Sequence, residues 1–279
     1  MNAPVELAVV SIWRGHLATR TTRSLKHEYA LFIEQEIENY KESIPRSALL
    51  AIGDEAATRL MAEAQFTLTE MLLCEEVDRL ISRRLRLPKY DAWRKKRLKL
   101  HQEMRRPEHW GLTANDALVR SMRRHADAGG HVLVAGEASG RSALFLAASG
   151  CEVTALEADE ESVQRVMEAA VRAGLSDRLH PVPSALAQWT PEGLLHGVVC
   201  SHAALKALPV AERARVIAIL QTATRDGGVH LVETIAAGTK AIDELRAEYR
   251  GWKVSVEQGS GDAQVFLARK DQSAPNVSH

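Results

Sequence analysis

The sequence predicts an α/β chain in two parts: an all-helical N-terminal region, residues 1–107, followed by a parallel-sheet domain, residues 108–270. Three observations predict it. The 279 residues are about twice the length of a common single domain. Glycine is divided unevenly, with three in residues 1–128 and 14 in the rest. The apolar pattern changes at the same place, from three- and four-residue spacing to short β-branched runs that alternate with helical stretches, as a βαβ sheet requires. Charge follows the same division, +4 before residue 129 and −4 after it, within a net of zero.

Composition excludes several classes. With 46% hydrophobic and 26% charged residues the chain has the makings of an ordinary core. Zero net charge argues against a wholesale polyanion binder. No run of 18 apolar residues occurs, so no membrane span is expected. The start, MNAPVELAVVSIWRGHLATR, has neither the basic flank nor the cleavage site of a secretory signal. Cys74, Cys151 and Cys200 are scattered and odd in number, so neither a disulfide framework nor a metal cluster is expected. A cytoplasmic protein without a metal is the expectation.

In the helical region, Leu25, Tyr29, Phe32, Ile33, Ile37 and Tyr40 form one apolar face of a helix over residues 24–42, broken by Pro45. A second helix is expected within 47–64. Thr67 and Glu70 have the spacing of a capping box for a third, which runs to about Leu87 before Pro88. Asp91 is the expected cap of a fourth, ending before Pro107. Residues 82–106 hold 11 basic side chains against Asp91 and Glu103. That density suits either an RNA contact or a solvated helix face with cations at helix C-termini, and the neutral total favours the latter. The region is open to three roles: a lid, a homodimer interface or a docking surface. The tail, residues 271–279, reads as disordered.

The second part carries the chemistry. His131-Val-Leu-Val-Ala135 reads as a strand, Gly136-Glu-Ala-Ser-Gly140 as a glycine-rich turn, and residues 141–149 as an apolar helix. Cys151-Glu-Val-Thr-Ala-Leu156 reads as the next strand and ends in Glu157. Small residues let a cofactor approach the backbone, and an acid at the second strand's end accepts hydrogen bonds from ribose hydroxyls. A dinucleotide fingerprint needs a third glycine where Arg141 stands.

The spacing instead resembles the class I S-adenosylmethionine-dependent methyltransferases, whose first motif is an acid-x-Gly-x-Gly-x-Gly turn. Residues 132–159 align with it without a gap, and residues 143–157 look especially like the small-molecule and tellurite-resistance-type members. Farther on, Gly197-Val-Val-Cys-Ser201 resembles the family's fourth strand and Asp226-Gly-Gly-Val-His-Leu-Val-Glu233 its fifth. Trp252–Val256 and Gln264–Ala268 resemble the closing hairpin, which adds an antiparallel strand. The resemblance implies a Rossmann-like sheet with that antiparallel last strand. It implies S-adenosylmethionine as cofactor, held by Gly136, Glu137, Ala138, Gly140, Glu157 and Ser184, and methyl transfer to a small-molecule acceptor.

The chain also departs from the family. Val134 stands where the first-motif acid belongs, Ala138 replaces the middle glycine, and the adenine-contacting acid falls at Ser184 or Ala185. The acid near the start of the fourth strand falls at His196 or Gly197. Glu157 alone is kept of the usual acids, with Glu137 able to supply a nearby charge. Losing a hydrogen bond to a charged group costs about 1.5–3 kcal/mol, one to two decades of affinity. A second reading is therefore a degenerate binding or scaffold protein without catalysis, and RNA methylation is a weaker third. On the acceptor side, His202 after the fourth strand and Glu233 at the end of the fifth are the catalytic candidates. His109 and Trp110 lie just ahead of the sheet domain, where Trp110 either faces the cofactor mouth or packs as a wedge.

Overall fold

A computed structural model describes residues 24–62, 69–126, 129–137, 139–238, 240–259 and 261–271. Thr67, Ala138 and residues 272–279, most of the expected tail, lie outside them. The chain divides into two compact units, Met1–Leu98 and Lys99–His279.

The first unit is helical. Helix α1 (Leu25–Ser43) starts where the Ser24 hydroxyl accepts from the His27 amide, and α2 (Arg46–Ala62) follows Pro45. Helix α3 (Glu70–Arg84) is capped by Thr69, whose hydroxyl accepts from the Leu72 amide, rather than by the capping box expected from Thr67. It ends three residues short of Leu87, because Arg86 takes a left-handed φ of 53° that no helix continues through. Helix α4 (Tyr90–Met104) starts two residues earlier than a cap at Asp91 would have it, which puts Asp91 in its first turn, where a negative charge still favours the N-terminus. Ile37, Ile52, Ala56, Leu80 and Ile81 form the core of α1–α3. Tyr29, Phe32, Tyr90 and Trp93 cluster with ring centroids 5.4–6.4 Å apart, tied by the Tyr29 hydroxyl to the Pro88 carbonyl.

The second unit is a seven-stranded sheet. Its strands are β1 (His131–Ala135), β2 (Glu152–Glu157), β3 (Leu179–Pro183), β4 (Leu195–Ser201), β5 (Thr224–Ala236), β6 (Lys253–Gln258) and β7 (Ala263–Arg269). The spatial order is β3-β2-β1-β4-β5-β7-β6. The first five strands are parallel, and β7 enters antiparallel between β5 and β6. This is the Rossmann-like sheet with the closing hairpin that the sequence implied.

Alternate residues of each strand face opposite layers, as the two-residue period demands. Val132, Val134, Val153, Ala155, Val199 and Leu231 pack with α5 (Ala117–Ala126), α6 (Arg141–Ser149) and α7 (Glu160–Ala173). Leu133, Ala135, Leu156, Val198, Cys200, Val232 and Phe266 pack against α9 (Val210–Ala223) and α10 (Ala241–Glu248), with Leu205 of α8 (His202–Lys206). The chain runs outward from β1 to β3 and then returns to place β4 on the other side of β1. Such a reversal opens a crevice at the carboxyl ends of β1 and β4, where ligands bind in open α/β sheets.

Candidate functional site

Register alone builds a row of groups across that crevice. Ala135 pairs with Leu156 on one side and Cys200 on the other, so Gly136 is level with Glu157 and Ser201. Glu157 in turn pairs with Pro183, and Ser201 with Glu233. Glu157, Gly136, Ser201 and Glu233 thus stand at one level across four adjacent parallel strands; the β4–β5 pairing stops there, while β5, expected to end at Glu233, runs on to Ala236 beside β7.

Gly136 is at a φ of 72°, and its amide donates to the Leu156 carbonyl at 3.1 Å. A Cβ there would lie 2.7 Å from the Ala204 methyl and 2.8 Å from the Ser201 hydroxyl, so both backbone angle and space demand glycine. Gly140, at φ 65°, caps α6, with room denied to a Cβ by Val166 at 2.8 Å.

Glu137 turns back onto the helix it precedes. Its Oε2 accepts from the Ser142 amide at 2.8 Å, and its Oε1 accepts from the Ser139 hydroxyl at 3.3 Å, with Arg141 Nε 3.7 Å away. Burial raises its pKa, while the Ser142 N–H and Arg141 oppose the rise. Val134, in the position of the family's first acid, is 1% exposed within the apolar layer under α6.

Glu157 is different. It is 3% exposed, and among the described residues no hydrogen-bond donor reaches its carboxylate. Burial, then the charges of Glu137 and Asp159, push its pKa up to about 7, against a lowering by Arg165. A buried carboxylate without donors is expensive to keep, and in native proteins such a group calls for an explanation. Two residues later, Asp159 caps α7 by accepting from the Ser162 amide at 2.7 Å, and that bond lowers its pKa.

Glu233 has the same character at the other end of the row. Burial, then Glu137 and Asp116, raise its pKa to about 7, with Arg141 the opposing cation. Immediately after it, Thr234 takes a φ of 59° at a bulge in the β5–β7 pairing. A β-branched residue in that region is strained, and bulges of this kind re-aim the neighbouring side chain.

The remaining candidates are placed as follows. Ser184 lies against the row, its amide donating to the Glu157 carbonyl at 3.1 Å. His202 opens α8 beyond Ser201, but the charges it feels are Lys206, Arg213 and Glu244, and none of the carboxylate row. Its pKa is lowered, by burial first and then by those two cations. Trp110, in a 3-10 turn (Pro107–Trp110), gives its indole N–H to the Met104 carbonyl at 2.7 Å and packs on the sheet's apolar layer, with His109 edge-on at 4.8 Å. That satisfied bond marks Trp110 as packing. Asp116 was not singled out from sequence. Its position one residue ahead of the amphipathic α5 was the signal, and its carboxylate accepts from the Thr113 amide and hydroxyl.

An open cleft of about 490 Å³ lies at the opposite ends of β4 and β5, lined by His196, Thr224, Arg225, Asp226 and Lys270 among others. Its cations are engaged in holding the fold. Lys270 Nζ donates to the Thr224 and Gln221 carbonyls, and Arg225 is bonded to His196. No group of three His, Cys, Asp or Glu able to hold a metal occurs among the described residues. Nor is any described helix long and apolar enough to cross a membrane.

No family model and no curated protein sequence matches the chain. Solved structures do. TehB from Haemophilus influenzae matches at 17% identity over 59% of this chain and 65% of that one, with a TM-score of 0.48. The N-methyltransferase NodS from Bradyrhizobium japonicum WM9 matches at 13% identity, 57% and 99% coverage, and 0.44. Magnesium protoporphyrin IX methyltransferase from Synechocystis PCC 6803, solved with bound SAM, matches at 15% identity, 55% and 82% coverage, and 0.43. The chain spans about two thirds of TehB's length. The strand order and the inserted antiparallel β7 carry the fold assignment by themselves.

Proposed function

We propose that the chain is an S-adenosylmethionine-dependent methyltransferase that acts on a small-molecule acceptor. The single observation behind this reading is Glu157. It is a carboxylate at the end of β2, nine-tenths buried and without donors, level with the Gly136 turn in a sheet of this strand order. The two hydroxyls of a ribose supply what it lacks. The Gly136–Gly140 backbone and Ser184 flank the same spot, and the helix end behind Glu137 adds partial positive charge. Glu137 supplies near the turn the negative charge that Val134 cannot.

The cofactor brings a methyl group already activated on a sulfonium; an acceptor lone pair takes it while the carbon–sulfur pair returns to sulfur. The protein's task is then to hold the acceptor in line and to keep water out. Glu233, at the far end of the row, is the group best placed to meet the acceptor.

Calorimetric titration with S-adenosylhomocysteine tests the reading. Micromolar binding, weakened about 10- to 100-fold by Glu157→Gln, is the expected result. Absence of heat at millimolar ligand would overturn it and leave the scaffold alternative, which the Val134 and Ala138 replacements favour.

A further inference from the structure

Resting on that reading, we infer that the cofactor site is gated by a proton: Glu157 is a neutral carboxylic acid in the ligand-free protein and gives that proton to solvent as the ribose binds. Glu157 is 3% exposed and ends β2, between β1 and β3. The donors of the surrounding turns are spent elsewhere. The Gly136 amide donates to the Leu156 carbonyl and the Ser184 amide to the Glu157 carbonyl, while the Ser184 hydroxyl donates to the Ala185 carbonyl. The Ser142 amide serves Glu137, and the Ser162 amide and hydroxyl serve Asp159. The charges that act on Glu157 do not rescue its ionised form. Glu137 on the β1–α6 turn and Asp159 at the head of α7 repel it, and the opposing cation, Arg165 on α7, is half-exposed and bonded to Glu161 at 3.3 Å. The ends of β3 and β4 bring Ser184 and Ser201, neither of them ionisable. A buried carboxyl with four lone-pair sites and no donor sheds its charge by holding a proton. The rise of its pKa to about 7 agrees with that placement.

A ribose reverses the balance. Its two hydroxyls bring donors to the carboxyl, and hydrogen bonds to an ionised acceptor are about twice as strong as neutral ones. The bound form therefore favours the carboxylate: the O–H bond breaks, its electron pair stays on oxygen, and the proton passes to the buffer. The pKa of Glu157 is high without ligand and lower with it. Affinity thus climbs as the pH rises toward 7, levels off above, and falls in acid. Glu137 and Asp159 have less to gain from a ligand, because each already accepts from a backbone amide. Glu157 makes loading of the cofactor sensitive to pH.

Titration of the full-length protein with S-adenosylhomocysteine at pH 6.5, in MES and again in imidazole, counts the protons released, because the two buffers take up a proton with different heats. About half a proton or more per ligand is expected, and affinity should fall about tenfold from pH 8.0 to 5.5. Glu157→Gln should release none and bind with the same weakened affinity at both pH values. Glu233→Gln, which removes the other carboxyl of the row with a raised pKa, should release as many protons as the wild type. Wild-type binding without proton release would overturn the inference and spare the methyltransferase reading. So would a release that Glu157→Gln leaves intact, or one that Glu233→Gln abolishes. Failure of S-adenosylhomocysteine to bind at any pH from 5.5 to 8.0 would instead overturn the methyltransferase reading itself, and the proton gate with it.

Discussion

Two sets of buried polar groups in the sheet unit meet opposite fates. Under β5, the Thr224 hydroxyl donates to the Leu220 carbonyl at 2.6 Å and lies 2.7 Å from His230 Nε2, while His230 Nδ1 lies 2.8 Å from the Tyr249 hydroxyl. One tautomer satisfies the whole chain: Nε2–H donates to Thr224, and Nδ1 accepts from Tyr249. Trp252 and Phe266 enclose it, and His230 is 1% exposed. At the carboxyl ends of the strands, Glu157 is buried and Glu233 half-buried, and among the described residues neither is supplied with a donor. A closed set of hydrogen bonds belongs to the fold, and an open set is kept for something that arrives. The comparison also separates two histidines of the sheet unit by environment: His230, which was not a candidate, is locked into the core, and the candidate His202 feels cations and none of the row.

The largest effect should come from breaking the closed set. His230→Ala leaves Tyr249 and Thr224 without their shared partner and opens a cavity, at a cost of about 3 kcal/mol in urea unfolding at pH 7.5. Burial, with Lys270 nearby, drives the pKa of His230 down to about 3. Its folded-state pKa lies below the unfolded one, so its contribution is present above about pH 6.5 and is lost as the pH falls toward 3. The variant should therefore lose much of the acid-side slope of the wild type. An unchanged slope would show that the acid transition belongs elsewhere.

The open set predicts the reverse sign. Glu157 has a folded pKa of about 7, above its unfolded value. Its favourable contribution is complete below about pH 4.5 and is lost as the pH rises through 7, where the buried carboxylate must ionise. Glu157→Gln should thus stabilise the ligand-free protein by about 1–2 kcal/mol at pH 8, with no gain at pH 4.5. Thermal unfolding at the two pH values measures it. A residue whose removal improves the fold and weakens nucleoside binding is hard to read as structural. Destabilisation at pH 8 would instead place Glu157 among the structural groups.

Much of this was legible in the sequence, and what was not has a common cause. Most strand ends could be placed because an apolar β-branched run stops at a glycine or a polar residue, as at Gly136, Glu157 and Ser201, although β5 runs three residues past Glu233; that the four residues share a level is a matter of register, which only the fold supplies. Direction within a turn could not. Glu137 was a charge near the cofactor, but only the fold shows it bonded to the Ser142 amide. Helix caps shifted for a similar reason: Thr69 competes with Thr67 for the same exposed N–H groups, and two residues of difference leave little trace in the pattern. Asp116 was missed because Glu233, on whose carboxyl its charge acts, is distant in sequence and is brought near it only by the sheet's topology.

The smallest predicted effect links the members of the open set. Glu137 raises the pKa of both Glu157 and Glu233 through its charge, while its own role at α6 needs only an acceptor oxygen. Glu137→Gln keeps that oxygen and removes the charge. The helix cap should survive, and the titration midpoints of Glu157 and Glu233 should each fall by about half a pH unit, the size expected of one carboxylate partly screened by solvent. Carboxyl-carbon NMR through the pH range resolves both groups. Joint movement would show that the row acts as one electrostatic unit, so that a cation bound at either end changes the charge state of the other. A shift in Glu157 with none in Glu233 would separate the cofactor end from the acceptor end.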